Sequence, residues 1–548
     1  MGSAAGRPLV LSSYRPRSEP LPLEGGPDAT GRPQDGNYRH LRRSLELITL
    51  GWFFGSVWQT AALSGSPLTI FVKGLGGTPF QFGVLAALPY IASLLSLPAS
   101  LLIERTGQRK RIFLGSLYFQ RLLWFPIALV PLWVLTHYGM GAGGEAVKLF
   151  LILIFVMHAC GAAGGPAWVS WMADVVPDRL RGKYFSRRRQ WGLVSAIPTA
   201  LFAGWLLDQR GAAGDTTAAL RWCAILFMCA AVFGLTDIHL FRYLADVPKA
   251  PQRGFGLLKA LGEPLRNRQF LWFAAFVGTL TFAVAFMQQF TTLFLLDRGR
   301  VGVSNAMTQL IVLVVPMAAQ FLMLPVWGTA VDRMGKKPVL ALAGLGLVPV
   351  ALGWCLLGAH NLWLAFVLSA AQMVLWTGVD IANFNAVLEM AGSNDTTDSA
   401  ARGAANPAAP GRAGAGASAA SSPRATGTRA CGGSAYVAVN SVIVNLAGCL
   451  GGLSAGLIAQ GLSTWQWAPA AGIKHFSFYD VLFVLSAVLR LAAVAIFLPF
   501  MIEPAARPAA ETLRFMTTNL RRHLSTAAMR PLRLVGLRKP AETYARAA

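Results

Sequence analysis

The sequence predicts an all-α membrane protein with twelve transmembrane helices in two six-helix repeats. Hydrophobic residues make up 54% of the 548 residues and charged residues only 13%, whereas soluble domains carry about 25% charged residues. Twelve apolar runs are each long enough for a bilayer core of about 30 Å, which needs roughly 20 residues per helix. One short charged loop between two such runs occurs twice, which indicates a duplicated half.

The predicted spans follow one another with short connections, apart from two longer segments. In chain order they are 47–72, 82–103, 112–136, 148–171, 190–208, 218–241, 269–296, 304–331, 338–359, 361–390, 436–461 and 477–502. These spans divide the chain into a disordered tail 1–46, a first half 47–241, a linker 242–268, a second half 269–502 and a basic tail 503–548.

Orientation follows from the basic residues, because Lys and Arg near short loops stay on the cytoplasmic side. With the N-terminus inside, 39 of the 48 Lys and Arg residues lie in cytoplasmic segments and seven lie in outside loops. We therefore expect both termini in the cytoplasm. The formal charge of +24 is explained by topology and by attraction to anionic lipid, so no nucleic-acid partner is expected.

The repeated loop is Glu104-Arg105-Thr106-Gly107-Gln108-Arg109-Lys110-Arg111 and, 228 positions later, Asp332-Arg333-Met334-Gly335-Lys336-Lys337. The halves also align at Asp174 and Glu389, which end spans 4 and 10 and are 215 residues apart, and at Tyr184 and Tyr436, which are 252 residues apart. The two offsets differ by 37 residues, which matches a tract of Ala, Gly, Ser, Pro and Thr at about 393–433. Such a composition predicts a disordered cytoplasmic insertion.

These loops resemble the signature of the major facilitator superfamily, Gly-x-x-x-Asp-(Arg/Lys)-x-Gly-basic-basic, which lies between spans 2 and 3 and more loosely between spans 8 and 9. The second copy is closer, with Gly328 four residues before Asp332, whereas the first has Ser100 and Glu104 where Gly and Asp are usual. The segment 177–182 also resembles the Pro-x-x-x-Arg-Gly loop of many members. The resemblance covers all twelve spans and implies two halves that rock around a central cavity lined by spans 1, 4, 7 and 10.

The loops suit a cytoplasmic gate, because an acid beside a helix N-terminus is stabilised by the helix dipole and can pair with a nearby basic residue. The alternative is that these charges only fix topology and meet solvent. The gate candidates are Glu104, Arg105, Gly107, Asp174, Arg179, Arg181, Asp332, Arg333, Gly335 and Glu389.

Polar residues of the cavity-lining spans are the candidates for binding a substrate or a coupling proton. They are Trp58, Gln59, His158, Gln288, Gln289, Gln372, Asp380, Asn383 and Asn385. Asp380 lies nine residues before Glu389, so about 13 Å deeper, where an ionised carboxylate is costly unless paired or hydrated. Its alternative role is that of a structural acid, and the alternative for His158 is a packing histidine.

Arg121 and Arg490 lie near the middle of spans 3 and 12. An intramembrane Arg is a functional candidate that can pair with an anionic substrate. The alternative is an inter-helix hydrogen bond, since spans 3 and 12 are peripheral in the resembled family. For Asp237 and His239, near the end of span 6, we expect an interfacial position. Gly448, Gly452 and Gly456 recur at four-residue spacing on span 11 and predict close helix packing.

The sequence thus predicts a secondary active transporter that moves a small solute by alternating access, with proton coupling at Asp380. Two alternatives stay open: multidrug-type efflux of amphipathic compounds, and a membrane sensor or scaffold that kept the fold but lost transport. We expect no enzymatic activity, no metal and no cofactor, because no nucleotide-binding, metal-ligand or catalytic spacing occurs. The expected partners are the solute and the lipid of a bacterial inner membrane, in which the protein is a monomer.

Overall fold

The computed structural model describes residues 35–211, 215–246, 262, 264–404, 430–468, 475–503, 507–508 and 510–518. The side chains of residues 35–40, 140, 178–179, 181–183, 391–404 and 430–434 lie outside this description. The described chain is almost entirely helical and forms twelve spans, as the sequence predicts.

Several spans are built from more than one helical segment, because a π-turn or a short break interrupts them. Span 1 comprises Asp35–Trp58, the π-turn Gln59–Leu63 and Ser66–Gly74; span 2, Pro79–Ser93 and Ser96–Thr106; span 3, Arg109–Leu122 and Trp124–Tyr138; span 4, Gly143–Val175; span 5, Asp178–Arg210; and span 6, Thr216–Phe241. Span 7 comprises Arg268–Leu296; span 8, Asn305–Gln309, the π-turn Leu310–Val314 and Val315–Met334; span 9, Lys336–Cys355; span 10, Trp363–Ala404; span 11, Ala430–Gly461; and span 12, Phe478–Ala492, the π-turn Ala493–Phe497 and the 3₁₀ turn Leu498–Phe500. Two short antiparallel strands, Gln466–Trp467 and Phe476–Ser477, lie between spans 11 and 12.

Several boundaries differ from the predicted ones. Span 1 begins at Asp35, within the predicted tail, and residues 1–34 lie outside the described residues. Span 5 begins at Asp178 and not at 190, because its charged first turns continue one helix into the apolar run. Span 10 continues to Ala404 and span 11 begins at Ala430, both inside the predicted insertion 393–433, and residues 405–429 between them lie outside the described residues.

Eleven of the described spans are long and apolar enough to cross a membrane; span 1, which is broken at residues 64–65, is not among them. Gly65 has φ +78°, a left-handed conformation that glycine adopts without steric cost. A Cβ at this position would overlap the side chain of Gln309, so the break also lets span 8 approach span 1. Pro67 begins the next helical segment in its first turn, where the missing N–H costs nothing.

Each half has its own apolar core. In the first half, Phe71 lies 5.3 Å from both Phe150 and Phe227, and Trp124 lies 5.2 Å from Phe227. These ring contacts join spans 1, 3, 4 and 6, and each aromatic pair adds about 0.5–1.5 kcal/mol beyond its buried area. The cluster that contains these rings also includes residues of the second half, such as Phe290, so the halves share part of their apolar packing.

Matching hydrogen bonds confirm the alignment of the two halves. Tyr184 on span 5 donates from its hydroxyl to the backbone oxygen of Leu45 at 3.0 Å. Tyr436, 252 residues later on span 11, accepts from the Asn267 side chain at 3.2 Å. Leu45 lies on span 1 and Asn267 caps span 7, so each tyrosine contacts the first span of its own half.

The two halves meet along a contact surface that we call the seam, made mainly by spans 2 and 11. A Cβ on Gly83 would lie 2.4 Å from the Cα of Gly456, and one on Gly448 would lie 2.5 Å from the Tyr90 ring. Gly452 also approaches Gly83, with its oxygen 2.6 Å from the same Cβ position. The predicted glycine packing of span 11 is therefore confirmed, with span 2 as the partner.

The seam lies toward one end of the bundle, which we call the closed end and which carries the connections near residues 75–78 and 297–304. There Asp208 of span 5 accepts hydrogen bonds from the Asn305 and Ala306 backbone nitrogens at 2.7 and 2.9 Å. An acid at a helix N-terminus satisfies unpaired N–H groups and opposes the helix dipole. A residue of the first half thus caps a helix of the second half.

Candidate functional site

We call the opposite end, which carries loops 104–111 and 332–337, the basic end. In both loops the glycine adopts a positive φ, +66° at Gly107 and +96° at Gly335. A side chain would strain either turn, which explains why the repeated motif requires glycine. The turns bring the first basic residue of the following span back toward its own half.

Those basic residues form equivalent clamps in the two halves. Arg109 of span 3 pairs with Asp174 at the end of span 4, with nitrogen and oxygen 2.6 Å apart. Lys336 of span 9 pairs with Glu389 near the equivalent position of span 10. Glu503 extends the second clamp, since it accepts from the Lys336 backbone nitrogen at 3.0 Å.

The basic residue that follows each clamp residue makes the same kind of contact in both halves. Lys110 donates to the backbone oxygen of Leu244, beyond the end of span 6, at 2.6 Å. Lys337 donates to the backbone oxygen of Met501, beyond the end of span 12, at 2.6 Å. Basic side chains here satisfy carbonyls left unpaired at helix C-termini, so each loop joins three spans of one half.

Only some of the predicted gate residues take part in these clamps. The partner of Asp174 is Arg109, which the sequence analysis did not select, and not Arg105. Glu104, Arg105 and Asp332 make no ion pair with any residue that the structure describes, and the Arg333 guanidinium lies 5.7 Å from the Phe515 ring. The side chains of Arg179 and Arg181 lie outside the described residues. A gate that joins the two halves remains a prediction.

Arg121 is buried in the first half and is paired within the protein. Its Nη2 lies 3.3 Å from Asp237 of span 6, its Nη1 donates to Gln120 at 2.6 Å, and its guanidinium lies 3.3 Å from the Trp58 ring centroid. Arg121 and Asp237 are each 6% exposed. Arg121 and Trp58 therefore contact each other and other residues of the protein in this conformation, and Asp237 is buried and not interfacial.

Glycines make room for this buried pair. A Cβ on Gly55 of span 1 would lie 2.6 Å from the Asp237 carboxylate, and one on Gly234 of span 6 would lie 2.5 Å from the Arg121 side chain. Spans 1, 3 and 6 can thus approach closely enough for the carboxylate to reach the guanidinium. The short separation compensates both charges where water is excluded.

Arg490 is fully buried in the second half. It donates to the Leu347 backbone oxygen at 2.8 Å and to the Gln372 side-chain oxygen at 3.1 Å, and it contacts the Met287 sulfur at 3.3 Å. These contacts join spans 7, 9, 10 and 12. Arg490 and Gln372 therefore hold helices together in this conformation.

Asp380 and Gln288 are exposed and lie where the halves face each other. The Tyr90 hydroxyl of span 2 donates to Gln288 of span 7 at 3.1 Å, and Tyr90 also lies within electrostatic range of Asp380 on span 10. Because Tyr90 belongs to the opposite half, both polar groups point into the space between the halves. They have the position expected of cavity-lining residues.

Asn383 lies one turn from Asp380 and accepts a hydrogen bond from the Asn440 amide of span 11 at 3.2 Å. The Oδ1 atom of Asn440 is buried without a hydrogen-bond partner among the described residues. Asn385 donates to the backbone oxygen of its own helix at Ile381, 2.9 Å away. The amide pair of Asn383 and Asn440 therefore joins spans 10 and 11, whereas Asn385 is satisfied locally.

The three remaining candidates have no side-chain hydrogen-bond partner among the described residues. Gln59, in the π-turn of span 1, is exposed, and His158 and Gln289 are half-buried. The structure shows no side-chain hydrogen bond from any of these three to a described residue. They remain candidates by position only.

The sequence analysis missed one group on the wall of the first half. Arg188 of span 5 lies between two tryptophans, with its guanidinium carbon 4.2 Å from the Trp52 ring centroid and 5.0 Å from that of Trp168. The three arginines at 187–189 were assigned to a cytoplasmic loop because the predicted span begins only after them, at residue 190. Helix continuity from Asp178 places Arg188 on a span that faces the other half.

A groove of about 380 Å³ lies outside this region, on the closed-end part of span 12. Its lining is almost wholly apolar, and the Asp480 carboxylate already accepts from the Ser477 backbone nitrogen at 2.9 Å. The lining residues are Trp465, Trp467, Phe476, Asp480, Val481, Val484, Leu485 and Val488. The groove offers no unused polar group and is not part of the candidate site.

The protein has twelve apolar spans in two equivalent halves, each held by its own ion-pair clamp, and polar groups lie between the halves. These features define an integral membrane protein of the two-repeat transporter class. The family model of the Major Facilitator Superfamily matches residues 47–409. The chain therefore belongs to this superfamily, as its motifs suggested, and secondary transport is its general function.

Solved structures share the fold at low sequence identity. A variant of the nucleoside transporter NupG is 12% identical with a TM-score of 0.57, covering 84% of this chain and 100% of that chain. A bacterial homologue of the iron transporter ferroportin in an inward-facing state is 12% identical with a TM-score of 0.52, covering 85% and 99%. A bacterial homologue of the human lysosomal transporter Spinster, inward-facing and occupied, is 16% identical with a TM-score of 0.52, covering 90% and 98%. A sequence search of curated proteins finds no match.

Proposed function

We propose that this protein moves a small solute by alternating access in proton symport or antiport, with Asp380 as the proton-binding group. One observation carries the proposal: the halves contact each other at the closed end, through the glycine seam and the Asp208 cap, whereas the basic-end clamps each stay within one half. Contacts arranged in this way fit one of two alternating states, in which the cavity opens at the basic end.

The excess of Lys and Arg supports a cytoplasmic basic end. The conformation is then inward-facing, as are the ferroportin and Spinster homologues that share the fold. Both termini lie in the cytoplasm, and the membrane is the bacterial inner membrane. The protein works as a monomer in which each half moves as one body.

The position of Asp380 supports proton coupling. It is an exposed carboxylate between the halves, so closure of the basic end removes it from water. Because an ionised carboxylate is costly in that environment, closure favours the protonated form. Low pH should therefore increase the fraction of molecules in which the basic end is closed.

The test uses spin labels at two exposed basic-end positions, Arg111→Cys and Glu511→Cys, in a protein whose native cysteines are replaced. We expect two label-to-label distances, with the shorter one gaining population as pH falls. In the Asp380→Asn variant the ratio should no longer depend on pH, whereas Asp246→Asn, an exposed acid beyond span 6, should retain the dependence. A single distance under all conditions would overturn alternating access, and an unchanged pH dependence in Asp380→Asn would overturn only the proton role.

A further inference from the structure

We infer that the cavity binds the carboxylate group of a small organic anion at Arg188, and this inference rests on the proposed transport function. Arg188 is half-exposed, lies on span 5 against spans 1 and 4, and makes no hydrogen bond or ion pair with any residue that the structure describes. Its only specific contacts are the faces of Trp52 and Trp168. A membrane-embedded guanidinium that has neither an anionic partner nor a hydrogen bond to a described residue is a candidate binding site for an anion.

The other buried arginines differ in this respect. Arg121 is neutralised by Asp237 at 3.3 Å, and the donors of Arg490 meet a backbone oxygen and Gln372. Asp237 also lies within electrostatic range of Arg188, but its carboxylate is bonded to Arg121. The charge of Arg188 is therefore available to a ligand.

The two tryptophans determine how a ligand approaches. Rings over the faces of a guanidinium hold it by cation–π attraction and leave the N–H edge for hydrogen bonds. That planar edge matches the two oxygens of a carboxylate.

The repeat alignment places polar groups of the second half opposite this site. The offset of 252 that relates span 5 to span 11 maps Arg188 onto Asn440, and the offset of 215 that relates span 4 to span 10 maps Trp168 onto Asn383. Both equivalent pairs are in contact, at 5.0 Å for Trp168 and Arg188 and at 3.2 Å for Asn383 and Asn440. The cation and the amide pair therefore lie at equivalent heights on the two walls.

This arrangement selects the substrate class. The arginine binds the carboxylate, and the half-buried Asn383, which is oriented by the Asn440 amide, can accept a hydrogen bond from a hydroxyl or amino group of the same solute. Asp380, one turn deeper, disfavours a second negative charge on the ligand. The expected solute is a small monocarboxylate that carries a hydrogen-bond donor.

The experiment measures ligand-induced thermal stabilisation of the purified full-length protein. The probes are lactate, pyroglutamate and 4-hydroxybenzoate, each compared with its neutral amide, together with inorganic phosphate and choline. We expect at least one carboxylate, and not its amide, to stabilise the wild type. Arg188→Gln should weaken its apparent affinity about tenfold or more, because a charge-assisted bidentate contact is lost, and Arg188→Lys should weaken it less.

The control is Arg187→Gln, which removes an adjacent exposed arginine and should leave the affinity within about twofold because bulk charge contributes little once screened. Three results would each overturn the inference. They are equal stabilisation of the wild type and Arg188→Gln by the carboxylate, stabilisation only by the amides, phosphate or choline, and no stabilisation by any carboxylate. The spin-label distances separate the two proposals. If two label-to-label distances are found but no carboxylate binds, the proposed transport function stands and the binding site is rejected. If a carboxylate binds but only one distance is found, the binding site stands and alternating access is rejected.

Discussion

Removing the Asp237 carboxylate should destabilise the protein strongly, because it leaves the buried Arg121 charge uncompensated. The proposed change is Asp237→Asn, which keeps the size of the side chain and removes its charge. Both partners are 6% exposed, so water cannot replace the lost carboxylate without opening the contact among spans 1, 3 and 6.

The magnitude follows from the contacts of Arg121. At 3.3 Å and an effective dielectric constant of about 20, the attraction between the two charges is about 5 kcal/mol. The hydrogen bond to Gln120 and the contact with the Trp58 ring remain after the substitution and offset part of this loss. We therefore expect the free energy of unfolding to fall by about 3 kcal/mol, at the lower end for breaking a buried pair.

The assay is the apparent melting temperature of purified protein in detergent, which should fall by roughly 5 °C or more. The double variant Arg121→Met, Asp237→Leu should recover most of that loss, because an apolar pair of similar volume carries no charge to desolvate. If the double variant is as unstable as the sum of the two single variants, the charges are not energetically coupled, and the structural role of the pair is refuted.

Two further predictions concern the contacts between the halves. Gly456→Val should lower the stability by about 1–3 kcal/mol through overpacking, because its Cβ would lie 2.8 Å from the Gly83 Cα. The control is Gly461→Val, whose Cβ would have no atom within 4 Å and which should melt at the same temperature as the wild type. Equal melting temperatures for the two variants would contradict the close contact at the seam. Asp208→Ala should cost about 1–2 kcal/mol as a lost helix cap and should speed thiol labelling of a Ser304→Cys reporter at the closed end. Asp215→Ala removes the cap of span 6 within one half, so faster labelling in that variant as well would show that the Asp208 effect is not specific to the contact between halves.

The fold could be predicted because its signals are local or repeated. Apolar runs of bilayer length identify the spans, and the loops at Gly107 and Gly335 repeat a turn that only glycine adopts readily. The alignment of Tyr184 with Tyr436 was confirmed by equivalent hydrogen bonds. Boundaries were less accurate at span 5, where charged residues belong to the helix but not to the apolar run.

The candidate site was harder to predict because burial and pairing depend on neighbouring spans. Depth selected both Arg121 and Arg490, whereas the structure shows that they contact Asp237 and Leu347 of neighbouring spans. Arg188 was missed because a run of three arginines reads as a topology signal. Its position between Trp52 and Trp168 combines spans 1, 4 and 5, which no local pattern brings together.

The glycine seam has a mechanical consequence. Where Gly83 meets Gly452 and Gly456, backbone lies against backbone, and few side chains interlock across that contact. Tilting one half against the other there requires little change of rotamer, so the local barrier to motion is low. The seam therefore keeps the halves close to each other, while the surrounding groups determine the angle between them.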